Sequence, residues 1–284
     1  MSRKYFISPK TLTGLLAEQK PNLAIVDASW YLPAQNRDGH GEFLASRIPG
    51  AQYFDIDTMS DTNSSLPHML PTAEHFGDAV GAMGIGHDDH IVIYDGIGIF
   101  SAARVWWMFK VMGATNIQVL EGGFDRWKSA GHPVETDAPA PTATKQFQAG
   151  LDVSKVRTVQ DIRENIQSNA AKILDARPGP RFTGETPEPR AGLRSGHMPG
   201  AGSLPIGQLQ IDGRMKETSE LIEIFANLGV DKNTPVITSC GSGVTAAIIT
   251  LALETTGHTN NSLYDGSWSE WGQAEDAPVV TGSE

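Results

Sequence analysis

The sequence predicts an α/β protein made of two similar domains, each a parallel sheet flanked by helices. Three observations carry this expectation. The second half of the chain repeats motifs of the first half in the same order. The apolar runs are short and rich in Ile and Val. Amphipathic stretches of helical period lie between those runs.

The repeat is read from four pairs of segments. Leu23-Ala-Ile-Val-Asp27-Ala-Ser29 is matched by Lys172-Ile-Leu-Asp175-Ala-Arg177. Arg47-Ile-Pro-Gly-Ala51 is matched by His197-Met-Pro-Gly-Ala201. Ile91-Val-Ile-Tyr-Asp95-Gly96 is matched by Val236-Ile-Thr-Ser-Cys240-Gly241. Leu120-Glu-Gly-Gly-Phe-Asp-Arg-Trp127 is matched by Tyr264-Asp-Gly-Ser-Trp-Ser-Glu-Trp271. The offsets at residues 27, 47, 95 and 122 are 148, 150, 145 and 144. Drift of that size is what loop insertions produce, and the period is too long for a solenoid.

The apolar runs at 23–27, 91–95, 172–175 and 236–239 are too short for helices and read as buried parallel strands. Ser8-Pro9 is an N-cap and first helical residue, followed by Leu12, Leu15 and Leu16 on one face. Thr158 to Asp161 has the form of a capping box before Ile162 and Ile166. Leu221, Ile222, Phe225 and Leu228 form a further apolar stripe, closed by Gly229. The Pro- and Ala-rich stretch from Thr136 to Thr144 has no period and reads as an extended linker. The expected domains are therefore 1–136 and 150–284, joined by 137–149.

Composition narrows the function classes. A chain of 284 residues with 39% apolar residues can bury the cores of two ordinary domains. A formal net charge of -11 without a Lys/Arg cluster speaks against nucleic acid and against anionic membrane surfaces as partners. No apolar run reaches the ~18 residues of a membrane span, and Met1 to Lys20 lacks the hydrophobic block of a secretory signal, so a cytoplasmic location is expected. A single cysteine fits a reducing compartment. No Cys/His cluster has metal-ligand spacing, and Gly96-Ile-Gly98 lacks the rest of a dinucleotide fingerprint, so no cofactor is expected.

The candidate chemistry lies at Ser239-Cys240-Gly241-Ser242-Gly243-Val244-Thr245-Ala246, between a strand and a helix. The two glycines allow a tight curl whose N–H groups converge at a helix N-terminus, where negative charge is favoured. A cysteine there is pushed towards its thiolate, the nucleophilic form. A free cysteine is otherwise most often a small buried hydrophobe. The matching loop of the first half, Asp95-Gly-Ile-Gly-Ile-Phe100, carries no cysteine, which suggests a division of labour between the repeats.

On these motifs the chain resembles the tandem-rhodanese-domain sulfurtransferases, and among them the members that use 3-mercaptopyruvate. The resemblance covers nearly the whole chain. Two positions depart from the family pattern: Asn261 stands where a small apolar residue is usual, and Arg47 where His is usual, although the equivalent His197 is present. The resemblance implies an inactive first domain and a catalytic second domain. It also implies transfer of sulfur from 3-mercaptopyruvate through a Cys240 persulfide to a small thiol, cyanide or thioredoxin. In Arg181-Phe-Thr-Gly-Glu-Thr-Pro-Glu-Pro-Arg190 the two arginines would hold the substrate carboxylate and carbonyl, with Gly241, Gly243, Val244 and Thr245 lining the site. Asp57 and His68 would join Ser242 in a proton relay. The alternative donor is thiosulfate. A cysteine phosphatase would need Arg at the sixth position after the cysteine, where Ala246 stands. A non-catalytic binding module would not need the Cys240 loop.

Overall fold

The computed structural model describes residues 4–283. The chain divides into two compact units. The first runs up to Thr62 and includes Leu70–Asp152 and Asp212–Arg214; the second holds Asn63–Met69, Val153–Ile211 and the chain from Met215 onward.

In the first unit the elements are β1 (Phe6–Ile7), α1 (Pro9–Ala17), β2 (Leu23–Asp27), α2 (Gly39–Ala45), β3 (Gln52–Tyr53), α3 (Ala73–Ala82), β4 (His90–Tyr94), α4 (Ser101–Val111), β5 (Ile117–Leu120) and α5 (Gly123–Ser129). The sheet order is β1-β5-β4-β2-β3, with every pair parallel. Beyond residue 152 come β6 (Val156–Arg157), α6 (Val159–Ser168), β7 (Lys172–Asp175), α7 (Gly179–Thr183) and β8 (Gly202–Ser203). These are followed by β9 (Gln210–Ile211), β10 (Arg214–Met215), α8 (Thr218–Asn227), β11 (Val236–Ser239), α9 (Ala246–Thr255), β12 (Asn261–Tyr264) and α10 (Ser267–Trp271). The second sheet has the order β6-β12-β11-β7-β8, again all parallel. The two orders are the same topology written twice, as the repeat in the sequence implies.

Helix signals act where the sequence places them. Ser8 accepts from the Thr11 amide with Pro9 in the first turn, and Thr158 and Asp161 form a reciprocal capping box. In α8, Leu221 and Phe225 are buried, whereas Ile222 is exposed on the outer side of the stripe. The helices after the central strands are buried on nearly all sides: in α9 every residue from Ala246 to Glu254 is buried, and in α4 every residue except Lys110. Residues 137–149 carry no helix or strand and run along the first unit, where Lys145 N–H donates to Gly81 O and buried Phe147 packs on Phe76 and Phe109. The departures from the family pattern have local partners. Arg47 is buried, pairs its main chain with Glu135 and donates to Asp137 O. Asn261 is buried and donates to His258 O at 2.8 Å. His197 is buried, stacks on Phe182 and donates from Nδ1 to its carbonyl.

Candidate active site

Cys240 directly follows β11, whose neighbours are β7 and β12, so it stands at the carboxyl end of the second sheet, where open parallel sheets place their ligands. Its side chain is buried. The loop from Gly241 to Thr245 leads into α9 without a side-chain N-cap, which leaves the first helical amides to the loop. Gly243 lies at φ +77°, a left-handed conformation that glycine adopts without a steric penalty.

The equivalent loop of the first unit shows what such a turn holds. There the Asp95 carboxylate accepts the amides of Ile97 and Gly98 on one oxygen, at 3.1 and 2.7 Å, and those of Phe100 and Ala102 on the other, at 2.7 and 2.9 Å. Four converging N–H groups thus hold an anion on the residue that directly follows β4. Burial nonetheless pushes the Asp95 carboxyl above its usual range, against those four donors. At the shared offset of 145, the corresponding second-unit residues are Ser242, Gly243, Thr245 and Ala247, with Cys240 in place of the aspartate.

The Cys240 turn is tied to α10. The amides of Trp268 and Ser269 donate to the carbonyls of Cys240 and Gly241 at 2.9 and 2.8 Å. Ser269 Oγ also donates to Gly241 O at 2.7 Å, and Cys240 N–H donates to Ser267 Oγ at 3.2 Å.

The two arginines reach this turn from the segment around α7. A β-carbon placed on Gly241 would stand 3.3 Å from Arg181 Nη2, so glycine lets the guanidinium lie against the loop. Arg190 Nη1 donates to Ser269 Oγ at 3.4 Å, through the same hydroxyl that holds Gly241 O. His68 and Ser242, both buried, share a hydrogen bond of 3.0 Å between Nδ1 and Oγ within the second unit. Asp57 belongs to the first unit, where its carboxylate accepts from Trp30 Nε1 at 3.0 Å.

Two further residues were not singled out from the sequence. Glu188 is a buried carboxylate shared by two guanidiniums: it accepts from Arg177 Nη1 at 2.8 Å and from both Nε and Nη2 of Arg181. Arg177 in turn forks onto Asp175, donates to Gly196 O and lies 4.0 Å over the Trp268 ring. Desolvation opposes the Arg177 charge, but the two carboxylates outweigh it and hold its pKa above the usual value. Two cations and two anions therefore balance in this buried cluster, the condition under which buried charge is tolerated. Asp175-Ala-Arg177 was visible only as half of a repeat; its ionic role shows once Glu188 is brought beside it.

The rhodanese-like domain family matches residues 8–130 and 158–274. The chain belongs to the rhodanese family. Its two rhodanese-like domains correspond to the two parallel sheets. The 3-mercaptopyruvate sulfurtransferase of Escherichia coli (strain K12) is 41% identical over 280 residues, which cover 98% of this chain and 99% of that protein. The mitochondrial thiosulfate/3-mercaptopyruvate sulfurtransferase 1 of Arabidopsis thaliana is 39% identical over 92% of this chain and 74% of its own length. The crystal structure of SseA from Escherichia coli superposes with a TM-score of 0.85 at 39% identity, covering 93% of this chain and 99% of that chain. Among the described residues, no helix is long and apolar enough to cross a membrane.

Proposed function

We propose that this protein is a sulfurtransferase that moves sulfur from 3-mercaptopyruvate to a thiol or cyanide through a persulfide on Cys240. The observation that carries the reading is the Cys240 turn itself. In the first unit the same turn closes four amides around an anionic side chain; in the second it presents a thiol at that point, with Arg181 against the loop. The Escherichia coli and Arabidopsis relatives described above both carry 3-mercaptopyruvate in their names.

In the first half-reaction the Cys240 thiolate attacks the thiol sulfur of the donor. The S–S bond forms, the C–S bond breaks, and its electron pair leaves as the enolate of pyruvate. The thiol proton of the donor ends on the methyl carbon, so the half-reaction yields pyruvate and a Cys240 persulfide with no net proton change. Arg181 and Arg190 hold the carboxylate and polarise the carbonyl as negative charge develops on it. Gly241, Gly243, Val244 and Thr245 surround the sulfur. Ser242 and His68 form the route by which the proton moves. In the second half-reaction an acceptor thiolate or cyanide attacks the outer sulfur and returns Cys240 as thiolate. The chain has no second cysteine, so the acceptor comes from outside, as a small thiol or a thioredoxin.

Thiosulfate is the second reading, because the Arabidopsis relative's name includes it. The loop favours the first. Positions 241 to 245 carry no charge, and a compact dianion needs nearby cations to offset its desolvation. We expect kcat/KM to favour 3-mercaptopyruvate over thiosulfate by at least about tenfold, or ~1.4 kcal/mol. The test is steady-state kinetics with both donors, alongside intact mass after incubation with donor alone. Wild type should gain one sulfur atom and Cys240→Ser none. A serine variant of near-wild-type activity would sink the persulfide, and thiosulfate turned over as fast as 3-mercaptopyruvate would make thiosulfate the donor.

A further inference from the structure

Ser267 holds a left-handed backbone, φ +49°, and its side chain is wholly buried. Residues with a β-carbon avoid that conformation. The equivalent residue of the first unit is Gly123, at φ +61°, where a β-carbon would come within 2.5 Å of Asp95 O and Gly98 N. The turn after the last strand is thus one that glycine suits, and the cysteine-bearing unit has serine in its place.

The hydroxyl makes two bonds there. Ser267 Oγ donates to Tyr264 O at 2.8 Å and accepts Cys240 N–H at 3.2 Å. The backbone ties between the two turns occur in both units: Trp268 N–H to Cys240 O has its match in Phe124 N–H to Asp95 O, and Ser269 N–H to Gly241 O in Asp125 N–H to Gly96 O. The hydroxyl tie has no such match, because Gly123 has no side chain to make it. It falls on the amide of the one residue whose side chain reacts.

We propose that Ser267 is a positioning residue for the nucleophile. By accepting the Cys240 amide, it fixes the Cys240 peptide so that Sγ faces the amides of the following turn, and it thereby favours the thiolate. This rests on Cys240 being the nucleophile and not on the identity of the donor. Removing the hydroxyl leaves the amide without its acceptor and lets the peptide rotate, so the sulfur lines up less well with the N–H groups that favour its charge.

The test is a pH titration of thiolate ultraviolet absorbance for wild type, Ser267→Gly and Ser267→Ala, with Cys240→Ser as the blank. The only cysteine is Cys240, so the signal has one source. Ser267→Gly should stay folded with at most a small fall in Tm, because glycine's ease in the turn offsets the lost hydrogen bonds, while its thiolate midpoint rises by about one pH unit. Its persulfide loading should slow about tenfold, with the KM for the donor unchanged. A merely structural serine would move Tm and leave the midpoint in place. A folded Ser267→Gly protein with the wild-type midpoint and loading within about twofold overturns the proposal; should that variant fold poorly, the same reading is taken from Ser267→Ala. A wild type that takes up no sulfur overturns the function proposed above, yet the midpoints still decide the role of Ser267.

Discussion

Asp27 and Asp175 end matching strands, β2 and β7, and differ in the residue two places on: Ser29 in one case and Arg177 in the other. Arg177 forks onto Asp175. Among the described residues, Asp27 has no such cation. It accepts the Ser29 amide at 2.9 Å, and burial pushes its carboxyl from 3.8 up to about 6, against the hydrogen bonds of Ser29 and Tyr94. The consequence for stability has a definite sign. A carboxyl whose folded pKa is raised binds its proton more tightly when folded, so its contribution is fully present below about pH 3.8 and is lost as pH rises towards 6. A shift of that size corresponds to up to about 3 kcal/mol. Asp27→Asn should therefore gain stability relative to wild type between pH 4 and pH 7, by as much as ~3 kcal/mol. Denaturant unfolding at the two pH values measures this. The same difference between variant and wild type at both would show that Asp27 titrates as an ordinary surface acid.

At the scale of elements, the strand–turn–helix unit explains both halves of the molecule. In β4–α4 the turn is closed by the carboxylate it carries; in β11–α9 the same position carries a thiol. Asp95→Asn separates hydrogen bonding from volume. One carboxylate oxygen becomes an NH2 group, so two of the four amides face a donor instead of an acceptor. Each such buried mismatch costs about 1–3 kcal/mol, so the variant should lose at least about 2 kcal/mol in denaturant unfolding. A loss below about 0.5 kcal/mol would mean that the amides are satisfied without Asp95. The central strands β2, β4, β7 and β11 were legible because buried parallel strands are continuous apolar runs. The two-residue strands β1, β3, β6 and β8 were not, since two residues show no period. In β5 and β12 polar residues break the run, at Gln118 and at Asn261 and Ser262. Ile222 illustrates the reverse: the sequence spacing placed it on the stripe of α8, and the structure exposes it because the buried side is narrower, at Leu221 and Phe225.

The whole molecule is not simply two halves of one chain. Motif spacing locates the Cys240 turn, because glycines and a helix start are local signals. The ionic cluster of Asp175, Arg177, Arg181 and Glu188 was hidden, because its pairs span up to eleven positions and form only when α7 and the following loop fold back. The segment Asn63–Met69 was hidden for a stronger reason: it lies in the first half of the sequence and belongs to the second unit. It brings His68, at φ +60° and buried, onto buried Ser242 in the reactive turn. A fragment of residues 150–284 holds Cys240, Arg181 and Arg190 but lacks these seven residues. Ser242 then loses its partner, and the proton route proposed above loses its imidazole. Positioned general acid–base groups are worth about 10²–10⁴ in rate. We expect the fragment to load sulfur from 3-mercaptopyruvate at least about tenfold more slowly than the full chain. In the full chain, His68→Ala should reproduce most of that loss with little change in Tm, which separates missing chemistry from a fragment that folds poorly. A synthetic peptide of residues 61–71 added to the fragment should recover part of the rate, and the same peptide carrying His68→Ala should not. If the fragment and His68→Ala both load sulfur at the full-chain rate, the imidazole takes no part in moving the proton, and the enolate is protonated from elsewhere.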